Sequence, residues 1–344
     1  MSVQVVEPGP GRGALIRPGE LLAGSPVAAE RWTQSAERED GFYVLRLSPG
    51  TDPCALAAEL TERGHEVSPN HVVIGQPLFF GGPTGAPRPA AAPPPYRPGE
   101  PSRVTAAVLD TGVAPHPWFT GCDWFEDQPR EVPDADGDGV LDGQAGHGTF
   151  IAGLLLRQSP GLRLRVCKVL DGHGVGDEAG VLRALARLRG RRIDVLLMSF
   201  GCHTYDDRPS PLIERALAAL PGTVLVACAG NHASPRPFWP AALPRVIAVA
   251  ALDAAEEGRA AFSAFGPWVD ACSRGEALAS SFVNFDRFEG YAVWSGTSFA
   301  AAVVAGAIAH AARHMSPAEA AAHVLDAGRN PRFPDLGVLV PAPR

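Results

Sequence analysis

The sequence predicts an α/β fold: a doubly wound, mostly parallel sheet with helices on both faces, preceded by a small β-α-β unit. Three observations lead there. Continuous apolar runs at 104–109, 193–198, 223–228 and 245–250 read as strands buried on both faces. Helical stripes fall between them on short connections, the rhythm of β-α-β units. The chain has 344 residues and 46% hydrophobic content, enough for one large core and an appendage.

Residues 1–40 carry Gly and Pro with little periodicity, and an irregular lead-in is expected there. Residues 42–47 read as a strand. Residues 52–63 open with Asp52 as an N-cap and Pro53 at the first helical position, place Leu56, Ala57 and Leu60 on one face, and stop at Gly64. A second strand follows at 65–75. The unit spanning 41–78 is too small to bury a core alone, so it is expected to pack on the larger domain. Residues 81–102 hold eight prolines, the composition of a semi-extended linker, so the linker is drawn at 79–102 and the main domain at 103–344.

Within the main domain, Thr105–Leu109 form part of the first buried strand. Residues 178–189 set Val181, Leu182, Leu185 and Leu188 on one helical stripe. The strands 193–198, 223–228 and 245–250 alternate with a helix at 211–220. The ligand site of such a sheet lies at the carboxyl ends of its strands.

Composition excludes several functions. A net charge of −7 offers no basic patch for nucleic acid. The Ala-rich run 300–312 is too short to span a bilayer, so no membrane partner is expected. The N-terminal residues show neither a positive region nor an apolar stretch, so no signal peptide is read. Cytoplasmic retention is the expectation, with secretion left open. Cys54, Cys122, Cys167, Cys202, Cys228 and Cys272 are even in number, but Cys167 and Cys228 sit in apolar strand-like runs, and packed free thiols are the reading.

Four short segments carry chemistry. Asp110-Thr111-Gly112 offers a carboxylate at a strand end, where a turn Asp before glycine is the plainer explanation for the motif alone. Gly146-His147-Gly148-Thr149 offers an imidazole at a helix start. Gly296-Thr297-Ser298 places a hydroxyl before an apolar helix, a position an N-cap serine would also take. Ala229-Gly230-Asn231 supplies an amide donor, and in isolation a turn. Together, in the chain order Asp, His, Ser, they match one of the known linear orders of the serine-nucleophile triad. A single Asp-Thr-Gly motif does not suffice for the paired aspartates of an aspartic peptidase.

From about Val104 to its end, the chain resembles the subtilisin-like serine peptidases, on these motifs in this order and on the cleft-strand segments Val166–Leu170 and Met198–Gly201. The resemblance implies a subtilisin-like fold and a serine endopeptidase hydrolysing peptide bonds through an acyl-enzyme. Ser298 would be nucleophile, His147 general base, Asp110 its orienting carboxylate and Asn231 the oxyanion donor. The β-α-β unit looks like a shortened inhibitory prodomain, with a decorative extension as the alternative; together with the Pro-rich linker it suggests autoprocessing between 76 and 102. Phe150 stands where the family commonly has a second histidine, and Ala302 where it usually has proline.

A protein or peptide substrate would bind as an extended strand along Ser199-Phe200-Gly201 and the loop 170–174. Ala229 and Gly230 would border a side-chain pocket with room for an apolar or medium-sized group. No cofactor is required. Asp134, Asp136, Asp138 and Asp142, with Gly139 at position six, resemble the start of a calcium loop, although Ala145 stands where a bidentate acid is expected; an acidic solvated insertion explains the run equally. Two alternatives stay open: an acyl-transferring peptide macrocyclase or ligase, and an inactive peptide-binding pseudopeptidase.

Overall fold

The protein is described by a computed structural model covering residues 2–75 and 85–342. In chain order the first elements are β1 (Gln4–Val6), β2 (Ala14–Ala23), β3 (Thr33–Arg38), β4 (Tyr43–Leu47), α1 (Pro53–Glu62) and β5 (Val67–Ile74). Next come β6 (Arg88–Pro89), β7 (Thr105–Asp110), α2 (His147–Gln158), β8 (Arg163–Lys168), β9 (Val175–Asp177), α3 (Glu178–Leu188), β10 (Val195–Met198) and α4 (Pro211–Ala218). The rest are β11 (Val224–Cys228), β12 (Val246–Leu252), β13 (Ala271–Arg274), β14 (Leu278–Phe285), β15 (Phe288–Trp294), α5 (Thr297–Ala311), α6 (Pro317–Val324), β16 (Arg332–Phe333) and β17 (Gly337–Leu339).

Two compact units emerge. The first combines residues 1–73, 176–191 and 202–221; the second holds 74–175, 192–201 and 222–344.

In the first unit β4, β2 and β5 lie side by side, with β3 on the far edge of β4 and β1 against β2. Leu21, Leu45, Leu56, Leu60 and Val67 form its core, so α1 turns its apolar face onto the sheet as its spacing predicts. Asp52 caps α1, accepting from Cys54 N at 2.8 Å. Helices α3 and α4 belong to this unit, and side chains bridge sheet and helix: Arg17 Nε donates to Asp177 at 2.9 Å and Ser68 Oγ to Glu178 at 3.1 Å.

The expectation of an irregular segment at 1–40 is overturned, because β2 is the strand between β4 and β5. Its alternation is broken by Pro18 and Gly19 (φ +66°), where its register against β5 shifts between Ile16 and Leu21. β3 is almost wholly exposed and polar, the character of a protected edge strand, and so carries no apolar signal.

The second unit is built on an eight-stranded sheet in the order β16-β17-β13-β12-β11-β10-β7-β8, parallel except where β16 meets β17. β7 is flanked by β8 on one side and β10 on the other. The chain therefore reverses its direction of winding at β7, and the strand ends there open the crevice in which doubly wound sheets bind ligands. α5 is apolar all round and accordingly buried: residues Thr297–Gly306 are all inaccessible.

The segment expected as a semi-extended linker is extended and packed on the second unit over its described part; residues 76–84 lie outside the described residues. Arg88 and Pro89 pair antiparallel with Val293 and Ala292, making β6 the third strand of the β14–β15 hairpin. Trp294 Nε1 donates to the Gly85 carbonyl at 3.2 Å, Tyr96 stacks on Trp118 at 4.5 Å, and Ser102 N donates to Gly161 O at 2.8 Å. Proline suits such an edge, where one side of the strand has no partner for an N–H.

Candidate active site

Asp110 is the last residue of β7, at the winding reversal. Its Oδ1 receives the Thr111 amide at 2.8 Å and His147 Nδ1 at 2.7 Å. A carboxylate on Nδ1 fixes the tautomer in which Nε2 is the basic nitrogen. Gly112 (φ +116°) has no room for a side chain, since a Cβ there would stand 3.0 Å from Pro129 O. Gly148 is under the same constraint: a Cβ would lie 2.1 Å from Gly112 O. The two motifs are thus pressed backbone to backbone.

His147 is the first residue of α2 and is wholly buried. Trp294 meets its ring edge-on at 5.6 Å and Phe299 packs at 5.4 Å. Phe150, also buried, packs against Phe299 at 4.5 Å with the rings tilted at 46°.

Ser298 is the second residue of α5, at 1% exposure. Its hydroxyl donates to the Ser199 carbonyl at 3.2 Å, and among the described residues His147 Nε2 has no partner. Ser298 and His147 are therefore not hydrogen-bonded to each other in this state; side-chain bonds in such clefts commonly tighten only when a ligand is bound. Asn231 reaches the same helix start, its Oδ1 accepting from Thr297 N and Thr297 Oγ1, both at 2.9 Å. That pairing fixes the amide and leaves Nδ2 as the donor end. A Cβ on Gly296 would make only ordinary contacts, the nearest at 3.5 Å, so the fold itself does not demand glycine there.

The predicted cleft residues fare unevenly. Gly201 exchanges both backbone hydrogen bonds with Ile74, at 2.9 and 3.1 Å, and Gly75 N donates to Gly174 O at 2.9 Å. A peptide strand thus already lies along the edge expected for substrate. Phe200 is buried. Ala229 is fully buried, in a core cluster with Ala250, Leu252, Ala264 and Val269. Space beside Gly230 and Gly201 is taken by Phe238, whose ring atoms approach within 3.0 and 2.4 Å of where their Cβ atoms would be. The roomy pocket expected from the small residues is thus filled by an aromatic brought in from later in the chain.

The acidic loop gathers Asp134, Asp136 and Asp138 within ligand distance of one another, and separately Asp136, Asp142 and His173. His173 was not foreseen, since it comes from the loop after β8. Asp134 is occupied by the loop's own backbone, accepting from the amides of Gly137, Asp138 and Gly139. Those bonds, Gly139's foremost, hold its carboxyl below the usual range.

Cys228, ending β11, is a buried thiol pushed up to about 11 by burial, with Ser298 and Thr297 hydroxyls pulling the other way. It is inert at neutral pH. All six cysteines are free, as expected.

A carboxylate-bound imidazole thus stands at the end of β7, and a helix-start serine bonds the backbone just past the end of β10. Residues 102–335 match the model of the Subtilase family, and the chain belongs to that family. It is 32% identical over 213 residues to a thermophilic serine proteinase of Bacillus sp. (strain AK1), a match covering 58% of this chain and 50% of that protein. It is 31% identical over 219 residues to Subtilisin Savinase of Lederbergia lenta, covering 60% and 76% respectively. The chain thus spans only about half the length of the first of these relatives. The crystal structure of a cold adapted subtilisin-like serine proteinase superposes with a TM-score of 0.54 at 23% identity, over 75% of this chain and 95% of that one. This likeness establishes the subtilisin-like fold. Among the described residues no helix is long and apolar enough to cross a membrane.

Proposed function

We propose that the protein is a serine endopeptidase that cleaves peptide bonds through an acyl-enzyme. The observation that carries this reading is the 2.7 Å Asp110–His147 bond, made at the same strand ends where Asn231 and Ser298 meet the start of α5. Ser298 Oγ attacks the scissile carbonyl carbon and its proton passes to His147 Nε2. The carbonyl π electrons move onto oxygen, which Asn231 Nδ2 stabilises. Collapse breaks the C–N bond, His147 returns the proton to the departing amine, and water repeats the sequence to free the acid.

Substrate adds as a strand to the edge at Gly201 and Gly174, a mode supported by Ile74 and Gly75 pairing there. Autoprocessing between 76 and 102 is part of the same proposal; positions 76–84 lie outside the described residues. Intact mass after long incubation tests this: wild type shortens at the N-terminus and Ser298→Ala does not. Equal masses would contradict autoprocessing.

The oxygen donors of Asp134, Asp136, Asp138 and Asp142 suit a hard cation, and calcium there would stiffen the segment leading to His147. Excess chelator then lowers the melting temperature; an unchanged melt with no metal by elemental analysis would dispose of the ion.

A further inference from the structure

Glu131 carries no signal in the sequence, yet the structure buries it at the junction of the two motifs that supply Asp110 and His147. Each of its oxygens receives one hydroxyl and one amide. Oε1 accepts from Thr111 Oγ1 and from Gly146 N at 2.8 Å; Oε2 accepts from Thr149 Oγ1 and from Thr149 N at 3.3 Å. Four donors on two oxygens is the hydrogen-bond set of a carboxylate, not of a carboxylic acid.

The same contacts explain how α2 begins. Its N-cap, Gly146, has no side chain to satisfy the first amides. Glu131 takes two amides at this end from a segment remote in sequence, and Thr111 Oγ1 takes Gly148 N at 3.0 Å. Negative charge is favoured at this end of a helix. Thr111 Oγ1 also stands 3.3 Å from Asp110 Oδ1, so one hydroxyl lies between the two carboxylates. Thr149 Oγ1 in turn accepts from Ala114 N at 2.9 Å, tying in the chain just beyond Gly112.

We propose that Glu131 is a positioning residue: an ionised carboxylate that caps α2 from outside, holds His147 in register with Asp110, and adds negative charge favouring the imidazolium. This deepens the peptidase reading and rests on it for its consequence in catalysis. Burial pushes the Glu131 carboxyl up, while the hydroxyls of Thr111 and Thr149 pull it down and Asp110 adds to the rise. Asp110 is the titratable group facing it across Thr111; His147 is bonded to Asp110, and the Cys228 thiol feels the same carboxylate. Arg130 is turned away, onto Glu126 and the Phe125 ring.

The test uses the full chain. Glu131→Gln keeps the volume and removes the charge. Two quantities are followed against pH: the rate of fluorophosphonate acylation, and the low-field proton resonance of the His147–Asp110 bond, assigned by its loss in His147→Ala. The expected result is a folded variant whose imidazole titration midpoint and acid limb both move down by about half a pH unit, roughly threefold in basicity. Acylation at the plateau falls about tenfold, because the imidazole is less well held.

A purely structural cap would leave both midpoints where they are in wild type, and that result overturns the proposal. Should Glu131→Gln fail to fold, Thr149→Val keeps the charge and should leave the midpoint near wild type. The deciding reading is then the 13C shift of the Glu131 carboxyl in the full wild-type chain, which should report an ionised carboxylate throughout the imidazole titration, and a protonated acid there overturns the proposal. If wild type takes no fluorophosphonate while the resonance still shifts in Glu131→Gln, the peptidase reading fails and the positioning role stands.

Discussion

Acid is predicted to destabilise the protein through His116, a histidine outside the catalytic motifs. Its Nδ1 accepts the Trp118 amide at 3.1 Å, so the proton sits on Nε2 and is donated to the Gly290 carbonyl at 3.0 Å. A second proton would face the Trp118 N–H directly and bring a charge among the rings of Trp118, Phe119 and Tyr291. Burial accordingly pushes the imidazole from 6.5 down to about 4, against the pull of the Gly290 carbonyl. Between those two values the unfolded chain binds the proton and the folded chain does not. Stability therefore falls as pH drops through this window, with no contribution lost above it.

A shift of that size corresponds to about 3 kcal/mol, or about 2 kcal/mol once relaxation of the surroundings around the charge is allowed for. His232, pushed to about 4 by burial and then Arg236, acts with the same sign. The carboxyls of Asp270 and Glu131, raised by burial, act oppositely: their contribution is present below the ordinary carboxylate range and lost as pH rises through the raised values. Comparing His116→Gln with its parent cancels these common terms. Urea unfolding of both, in a Ser298→Ala background that excludes autolysis, is the assay. The parent should lose about 2 kcal/mol more than the variant between roughly pH 6.5 and 4. Parallel stability curves would refute the reasoning.

Two further outcomes follow from the site. Asn231→Ala should leave the protein folded and lower the acylation rate by about 10²–10³-fold, the usual loss for one oxyanion donor; a change below about threefold would remove Asn231 from that role. Gly146→Ala should destabilise by roughly 2–4 kcal/mol, because φ there is +87° and the new Cβ would lie 2.2 Å from the Phe282 ring; an unchanged melting temperature would contradict it.

The main sheet and the candidate residues at its strand ends were legible in the sequence because both are written locally. Buried parallel strands such as Thr105–Asp110 are continuous apolar runs, and the motifs around Asp110, His147 and Ser298 sit where those runs end. What was hidden depends on partners distant in sequence. β2 is interrupted by Pro18 and Gly19, and β3 is an exposed edge, so neither shows a period. Ala229 reads as a cleft residue until the core around Val269 claims it, and Phe238 fills the space that Gly201 and Gly230 promised. Glu131 and His173 reach their clusters only through tertiary contacts, and nothing in their own neighbourhoods announces them.

The proposed peptidase requires an activated serine at position 298. Fluorophosphonate labelling of wild type beside Ser298→Ala, read by intact mass, reports it. A single adduct on wild type and none on the variant is expected. Equal labelling of both chains, or none on wild type at any pH, would contradict it.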